Sequence, residues 1–114
     1  MAGKAFLIQS EGLGRGDDKL GKLLMANFLR LLGEPSIKPA EIIFWNVGVK
    51  LLTEKSPVIE HIRKLADQGI EIKACTTCLE YFDLEDKIVV GEKSTMGAAI
   101  ETMMSRDVIT SRSY

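Results

Sequence analysis

The sequence contains few of the residues that metal sites and nucleic-acid interfaces require. Its 114 residues include one histidine and two cysteines, and 15 basic against 16 acidic residues leave a formal net charge of -1. A chain with almost no net charge does not attract polyanions, so we expect no nucleic-acid partner and no membrane partner. Two thiols are half of a four-ligand zinc site, and His61 lies in another segment, so no metal and no other cofactor is expected. Zinc shared across a subunit interface is the minor alternative.

The sequence also lacks a long hydrophobic run near its beginning. Residues 5–8 form an apolar run that is far shorter than the ~20 residues of a membrane-spanning helix and too short for the core of a signal peptide. We therefore expect a cytoplasmic protein. In that reducing compartment a Cys-x-x-Cys pair is more often catalytic or redox-active than a permanent disulfide.

Short apolar runs alternate with amphipathic segments along the chain. The composition, 46% hydrophobic and 27% charged, is that of one globular domain, and we assign residues 1–114 to it. Strands that alternate with helices predict an α/β protein, a three-layer α/β/α sandwich with a mainly parallel five-stranded sheet. The five predicted strands are residues 5–8, 41–45, 70–74, 87–90 and 108–110.

Capping residues mark the predicted helices. Asp17 or Asp18 caps the first helix, and Ser94 or Thr95 caps the last. The last helix contains three methionines, which we interpret as core because methionine fills gaps between packed side chains. Residues 47–53 are more apolar than a solvated loop, so we expect another subunit to cover them and the chain to form a homo-oligomer.

The two cysteines lie three positions apart at the end of the third predicted strand. Thr77 followed by Glu80 predicts a capping box, which places Cys78 in the first turn of a short helix and Cys75 just before it. Unpaired N–H groups at a helix N-terminus favour a thiolate, so we expect this location to lower a cysteine pKa. Cys75 at the strand end and Cys78 deeper in the helix dipole are both candidate nucleophiles, and the residues leave the choice open.

The ends of the strands supply further candidate site residues. In open α/β sheets ligands bind outside the carboxyl ends of the strands, where Ser10, Asn46 and Cys75 follow the first three predicted strands. We expect these residues to converge on one edge of the sheet. Thr76 and Thr77, which stand between the cysteines, complete the expected pocket with residues of the loop after the first strand.

That loop is rich in glycine. Gly12, Gly14 and Gly16 precede a helix N-terminus, as in phosphate-binding loops, and we assign Gly12 and Gly14 to the expected pocket. The spacing nevertheless fails both the G-x-G-x-x-G and the P-loop patterns. A loop that needs glycine for positive φ is the simpler interpretation.

Four segments resemble one known family in the order of that family. The chain resembles the DsrE-like domain of the YedF group, sulfurtransferase-like proteins of selenium metabolism within the wider DsrE, TusD and YchN family. The resemblance covers essentially the whole chain. The matching segments are residues 7–14 (LIQSEGLG), 16–21 (GDDKLG), 46–51 (NVGVKL) and 72–79 (IKACTTCL).

This resemblance implies a function and partners. The active cysteine of the family matches Cys75, which would accept sulfur or selenium as a persulfide and pass it to a partner thiol, while Cys78 resolves the persulfide or tunes its neighbour. The implied partners are a sulfur-donor or acceptor protein, with a TusA-like domain as one candidate, and further copies of the chain in a trimer or hexamer.

The sequence departs from the YedF pattern in three respects. Thr76 stands where that group usually has glycine and stiffens the Cys-x-x-Cys segment. Asp83 replaces another glycine. The N-terminal TusA-like domain of full-length YedF proteins is missing here, so we expect either that the domain was removed or that the partner is a separate protein.

Three hypotheses of different classes follow. The first is a sulfurtransferase or persulfide carrier that uses Cys75 and Cys78. The second is a small-molecule or nucleotide-binding module that uses the loop from Gly12 to Gly16, and the third is an oligomeric scaffold without turnover. A thioredoxin-type oxidoreductase is disfavoured because Thr76 and Thr77 replace the proline common in such motifs.

Overall fold

The computed structural model describes residues 3–110, so the first two and last four residues of the predicted domain lie outside it. Strands and helices alternate along this part of the chain. In chain order the elements are β1 Lys4–Ile8, α1 Asp18–Leu32, β2 Glu41–Phe44, a 3-10 helix Asn46–Leu52, α2 Ile59–Asp67, β3 Glu71–Cys75, α3 Thr76–Tyr81, β4 Glu92–Ser94, α4 Met96–Ser105 and β5 Asp107–Thr110.

The five strands form one sheet in the order β4-β3-β2-β1-β5, and each pairing is parallel. β3 therefore lies between β2 and β4, and its last residue, Cys75, pairs with Ser94. The connection from β4 to β5 crosses the whole sheet and contains α4. The predicted α/β class with a parallel five-stranded sheet flanked by helices is confirmed.

The two faces of the sheet are covered unequally. On one face, Ile42, Phe44 and Ile72 belong to the main core, which also contains buried residues of α1, α2 and α3. On the other face, Leu7 and Ile43 pack against Ala99 of α4 in a smaller cluster. A single helix therefore forms the third layer.

The predicted helix caps are confirmed, and the structure decides between the alternatives. Asp17 accepts a hydrogen bond at Oδ1 from the N–H of Leu20 at 2.9 Å, at the N-terminus of α1. Thr95 accepts one at Oγ1 from the N–H of Ala98 at 3.1 Å, at the N-terminus of α4. Each bond satisfies one of the free N–H groups of a first helical turn.

The predicted fourth strand is wrong. Residues 87–90 are not a strand of the sheet: Ile88 forms an isolated antiparallel bridge with Thr53, and the N–H of Val89 donates to the carbonyl of Leu52 at 2.9 Å. The strand that pairs with β3 is the polar segment Glu92–Ser94. An edge strand needs no alternating apolar pattern, so β4 has no hydrophobic signal in the sequence. The prediction therefore fell on the nearby apolar run instead.

The expectation that another subunit covers residues 47–53 is also wrong for most of that segment. It forms most of the 3-10 helix, in which Val49, Leu51 and Leu52 are each at most 1% exposed. All three belong to the main core. The chain buries these side chains by itself, so they give no reason to expect an oligomer.

Other helical side chains remain uncovered. The methionines of α4 were predicted to be core, yet Met96 is 49% exposed and Met104 84% exposed, and only Ala99 and Thr102 of this helix are buried. Four leucines of α1 are also exposed, namely Leu20, Leu23, Leu24 and Leu31.

Within the described residues, no helix is long and apolar enough to cross a membrane.

A left-handed residue ends α3 and leads to a test of the fold. Asp83 has φ of +58°, a conformation that glycine adopts without the steric penalty of a side chain. We expect Asp83→Gly to raise the free energy of unfolding by up to about 1 kcal/mol, because relief of backbone strain exceeds the added entropy of the unfolded chain. Urea denaturation followed by circular dichroism measures the difference.

Asp86→Gly is the matched control for this prediction. Asp86 is also exposed, but its φ is not positive. Glycine there should leave stability unchanged or lower it, because only the unfolded chain gains freedom. Equal effects of the two substitutions would show that Asp83 is not strained.

Candidate functional site

The two cysteines lie at the junction of β3 and α3. Cys75 ends the strand and is the N-cap of the helix, and Cys78 is in its first turn, as the sequence predicts. The predicted capping box of Thr77 and Glu80 is wrong, because α3 begins at Thr76 and no side chain caps it. The residues between the thiols are helical, which brings the two sulfur atoms to the same side of the turn.

Cys75 lines a small cavity between the sheet and α4. The residue is 7% exposed. The cavity has a volume of about 10 Å³, room for about one water molecule. Its wall combines apolar side chains with a few polar ones: Ile43, Trp45, Lys73, Cys75, Ser94, Thr95, Met96 and Ala99.

A hydrogen bond between two elements lies beside the cavity. Thr76 donates from Oγ1 to the carbonyl of Ser94 at 2.9 Å, which ties the start of α3 to the end of β4. Ser94 also pairs with Cys75 in the sheet, and α4 begins two residues later at Met96. The N-terminus of α4 is therefore held over the Cys75 side chain.

Cys78 has a different environment. Its Sγ accepts a hydrogen bond from the backbone N–H of Asn46 at 3.0 Å, and it is more exposed than Cys75. Burial raises the pKa of the Cys78 thiol, the Asn46 N–H lowers it, and contact with the Cys75 thiol raises it again, with a net increase. The expectation that the helix N-terminus lowers a cysteine pKa is therefore wrong for Cys78, because desolvation outweighs the N–H group.

The backbone of Asn46 aims this N–H group. Asn46 has φ of +53°, and its Oδ1 accepts a hydrogen bond from the N–H of Val47 at 2.8 Å. Two residues on, a side chain at Gly48 would lie 2.5 Å from the carbonyl oxygen of Ile8. The 3-10 helix thus packs closely on the end of β1, and this packing fixes the donor that faces Cys78.

A buried charged cluster lies beneath α4 and reaches the Cys75 cavity. Glu41 is 1% exposed, and its Oε1 accepts hydrogen bonds from Thr102 Oγ1 at 3.0 Å and Arg106 Nε at 2.9 Å. Its Oε2 lies 3.3 Å from Lys73 Nζ, which is also 3.4 Å from Glu71 Oε2. Sequence reasoning missed this cluster, although a carboxylate at the start of a buried strand requires such partners.

Lys73 is the member of this cluster that lines the Cys75 cavity. Burial alone lowers the pKa of Lys73, but its contacts with Glu41 and Glu71 outweigh burial and raise the pKa above its ordinary value. The side chain is therefore a cation at neutral pH. Because Lys73 and Cys75 are two positions apart on one strand, their side chains point to the same face of the sheet.

The structure places the other predicted pocket residues apart from this cavity. Ser10, Gly12 and Gly14 line a cleft of about 290 Å³ that shares no lining residue with the Cys75 cavity. Its charged side chains are three carboxylates and two cations, so it has no excess of positive charge for a phosphate. The charged residues are Glu11, Arg15, Asp17, Asp18 and Lys22.

Of the remaining predicted residues, only Thr76 lies beside the Cys75 cavity. Thr76 contacts Ser94 beside the Cys75 cavity, whereas Thr77 is exposed on α3. His61 lines a separate surface cleft with Arg30 and Lys64. Between residues 3 and 110, no group of three or more His, Cys, Asp and Glu side chains could hold a metal ion.

Several solved structures share this fold. The ychN protein of E. coli has a TM-score of 0.72 at 15% identity, over 96% of this chain and 99% of that protein. MTH1491 of Methanobacterium thermoautotrophicum, a protein of unknown function, has a TM-score of 0.70 at 20% identity, over 94% of this chain and 96% of that protein. BT1422 of Bacteroides thetaiotaomicron, a conserved protein of unknown function, has a TM-score of 0.64 at 22% identity, over 94% of this chain and 93% of that protein.

The family relationship rests on the sequence of nearly the whole domain. No curated protein matches the chain. The DsrE/DsrF-like family matches residues 4–110, from the first residue of β1 to the last residue of β5. The matched region therefore includes both cysteines, the cavity beside Cys75 and the charged cluster under α4. The chain belongs to the DsrE/DsrF-like family.

Proposed function

We propose that this chain relays sulfur as a persulfide, which forms on Cys75 and passes to the thiol of a partner protein. DsrE-like proteins generally work in sulfur relay with partner proteins. The observation that supports a persulfide at this position is the location of Cys75 at the end of β3, where it lines a cavity with room for about one atom and has Cys78 in the next helical turn.

The cavity beside Cys75 suits a terminal sulfur atom. Ile43, Trp45 and Ala99 contribute apolar wall, so a sulfur atom there would be shielded from water and from stray thiols. The cationic Lys73 on the same wall would stabilise the atom when it carries negative charge. This combination protects a persulfide and still keeps it ionised for transfer.

The proposed transfer conserves atoms and electrons. The sulfur of the accepting cysteine attacks the terminal sulfur of the donor persulfide, the donor S–S bond breaks, and the donor leaves as a thiolate that takes up the proton. Delivery to an acceptor thiol is the same reaction with the roles exchanged. No oxidant or reductant is consumed, which is the chemistry of a sulfurtransferase.

We further propose that the chain belongs to the YedF group of the family, because it resembles that group in four segments that contain Ser10, Asn46 and both cysteines. That placement adds selenium as a second cargo, a TusA-like domain as the donor or acceptor, and the cytoplasm as the location. A perselenide on Cys75 would give a larger mass increase than a persulfide, so one measurement separates the two cargoes.

We also propose that the chain forms a homo-oligomer, a trimer or hexamer, through α1. Leu20, Leu23, Leu24 and Leu31 lie within one third of the helix circumference at 100° per residue, and each is exposed. A leucine face of this kind on a small domain marks a protein interface. The proposed interface is therefore this exposed leucine face, and not residues 47–53, most of which the chain buries by itself.

The first prediction locates the persulfide. After incubation with glutathione persulfide, alkylation and digestion, we expect a mass increase of ~32 Da, one sulfur atom, on Cys75. Fragmentation of the peptide that contains both cysteines locates the added sulfur. Cyanide, which removes accessible sulfane sulfur, should remove it slowly from the wild type because the cavity shields it. Absence of any added sulfur on either cysteine would contradict the relay.

The second prediction concerns the pH dependence of Cys78. Its pKa is raised above the ordinary value of 9.0, so the thiol is protonated at neutral pH and its alkylation rate should still increase with pH beyond that value. Cys75 is one cause of the increase, so Cys75→Ser should move the midpoint to lower pH. Rates of alkylation by iodoacetamide between about pH 7 and pH 11 give the Cys78 midpoint in the wild type and in Cys75→Ser. The same midpoint in both proteins would show that the Cys75 thiol does not raise the Cys78 pKa.

The third prediction tests the assembly. Light scattering should give a multiple of the 12.6 kDa chain mass for the wild type, and Leu23→Glu should lower it because a carboxylate cannot be buried in the leucine interface. Lys22→Glu is the control and should leave the mass unchanged, because Lys22 is exposed on the same helix but lies away from the leucine face at 100° per residue. A wild-type protein of monomer mass would rule out the oligomer.

A further inference from the structure

We propose that sulfur reaches Cys75 through Cys78, so that the two cysteines act in sequence within one chain. The inference rests on the proposed function and adds a route to it. In this route Cys78 accepts the sulfur from the donor, and Cys75 then takes it into the cavity. Delivery to the acceptor follows the same route outward.

Unequal exposure of the two thiols is the first observation. Cys75 is 7% exposed and lines a cavity with room for about one atom, so the sulfur of a bulky donor does not reach it directly. Cys78 is only partly buried. A persulfide on a donor protein or peptide therefore meets Cys78 first.

Proximity of the two cysteines is the second observation. Cys75 is the N-cap of α3 and Cys78 is the third residue of the helix, two positions whose side chains are neighbours at a helix N-terminus. A sulfur atom bound to Cys78 is thus placed beside the Cys75 side chain. Transfer within one chain also needs no second encounter with the donor, which favours it over a direct bimolecular reaction at a buried thiol.

The Asn46 N–H group is the third observation. It donates to Cys78 Sγ at 3.0 Å from a backbone that the close packing of Gly48 on Ile8 holds in place. When sulfur moves on to Cys75, Cys78 leaves as a thiolate and its negative charge develops on the atom that this N–H contacts. The bond therefore stabilises the product of the internal step.

Atoms and electrons balance in both steps. In the first, Cys78 Sγ attacks the terminal sulfur of the donor persulfide, the donor S–S bond breaks, and the Cys78 proton passes to the leaving donor thiolate. In the second, Cys75 Sγ attacks the terminal sulfur now on Cys78, the bond from that sulfur to Cys78 Sγ breaks, and Cys78 regains a proton from the Cys75 thiol. In each step one S–S bond forms and one S–S bond breaks, and the transferred atom remains the terminal sulfur of a persulfide. No external oxidant or reductant is needed.

Attack at the other sulfur atom would give a different product. If Cys75 attacked Cys78 Sγ instead, the terminal sulfur would leave as hydrosulfide and a Cys75–Cys78 disulfide would remain. Release of hydrosulfide would end the relay, whereas the proposed step retains the sulfur on the protein. The two outcomes differ in mass by one sulfur atom and two hydrogens, so mass spectrometry separates them.

Rapid-quench loading with glutathione persulfide tests the route in the full chain. The time course of added sulfur on each cysteine is followed in the wild type, Cys78→Ser and Cys75→Ser, with circular dichroism to confirm that each variant is folded. We expect sulfur on Cys78 before Cys75 in the wild type. Cys78→Ser should load Cys75 at least about tenfold more slowly. Cys75→Ser should load Cys78 at least as fast as the wild type, because loss of the Cys75 thiol lowers the Cys78 pKa, but should lose its sulfur quickly to cyanide.

The outcomes separate this inference from the proposed function. Loading of Cys75 at the wild-type rate in Cys78→Ser would overturn the route and leave the persulfide on Cys75 intact as a proposal. Sulfur that stays on Cys78, or a disulfide with hydrosulfide release, would overturn the internal step. No loading of either cysteine would overturn both.

Discussion

The parallel pairing of β3 between β2 and β4 is the constraint on which the candidate site depends. It places Cys75 beside Ser94 and sets the end of β3 next to the end of β2, which Trp45 and then Asn46 follow. Each thiol then has a separate partner element, the N-terminus of α4 for Cys75 and the start of the 3-10 helix for Cys78. Two cysteines three positions apart thereby acquire different exposure and different chemistry.

Local sequence signals were sufficient for most of the fold. Buried strands of a parallel sheet are continuous apolar runs, and β1 and β2 have that pattern, while Asp17 and Thr95 mark helix starts through short-range hydrogen bonds. The fourth strand could not be found in this way. β4 is exposed and polar, and only its pairing with β3 makes it a strand, which is a property of the assembled sheet.

The site was predictable in position but not in electrostatics. The strand-end argument locates Cys75, yet the balance that raises the Cys78 pKa depends on burial and on an N–H group 32 positions away in the sequence. The charged cluster under α4 joins Glu41, Lys73 and Arg106 from three elements or their ends. Gly12 and Gly14 were assigned to the same pocket as Cys75 because a glycine-rich loop is visible in the local sequence. Its cleft and the Cys75 cavity have no lining residue in common, which only the tertiary structure shows.

The attachment of α4 has a mechanical consequence for the cavity that it covers. Thr102 and Arg106, at the C-terminal end of the helix, are tied to the buried Glu41, whereas Met96 at the other end is half exposed and stands over Cys75. β4 ends two residues before the helix begins, and β5 starts two residues after it ends, so both ends of α4 are also joined to strands of the sheet. The wall that α4 contributes to the cavity is therefore positioned from both sides, and the width of the cavity is set by the sheet as much as by the helix.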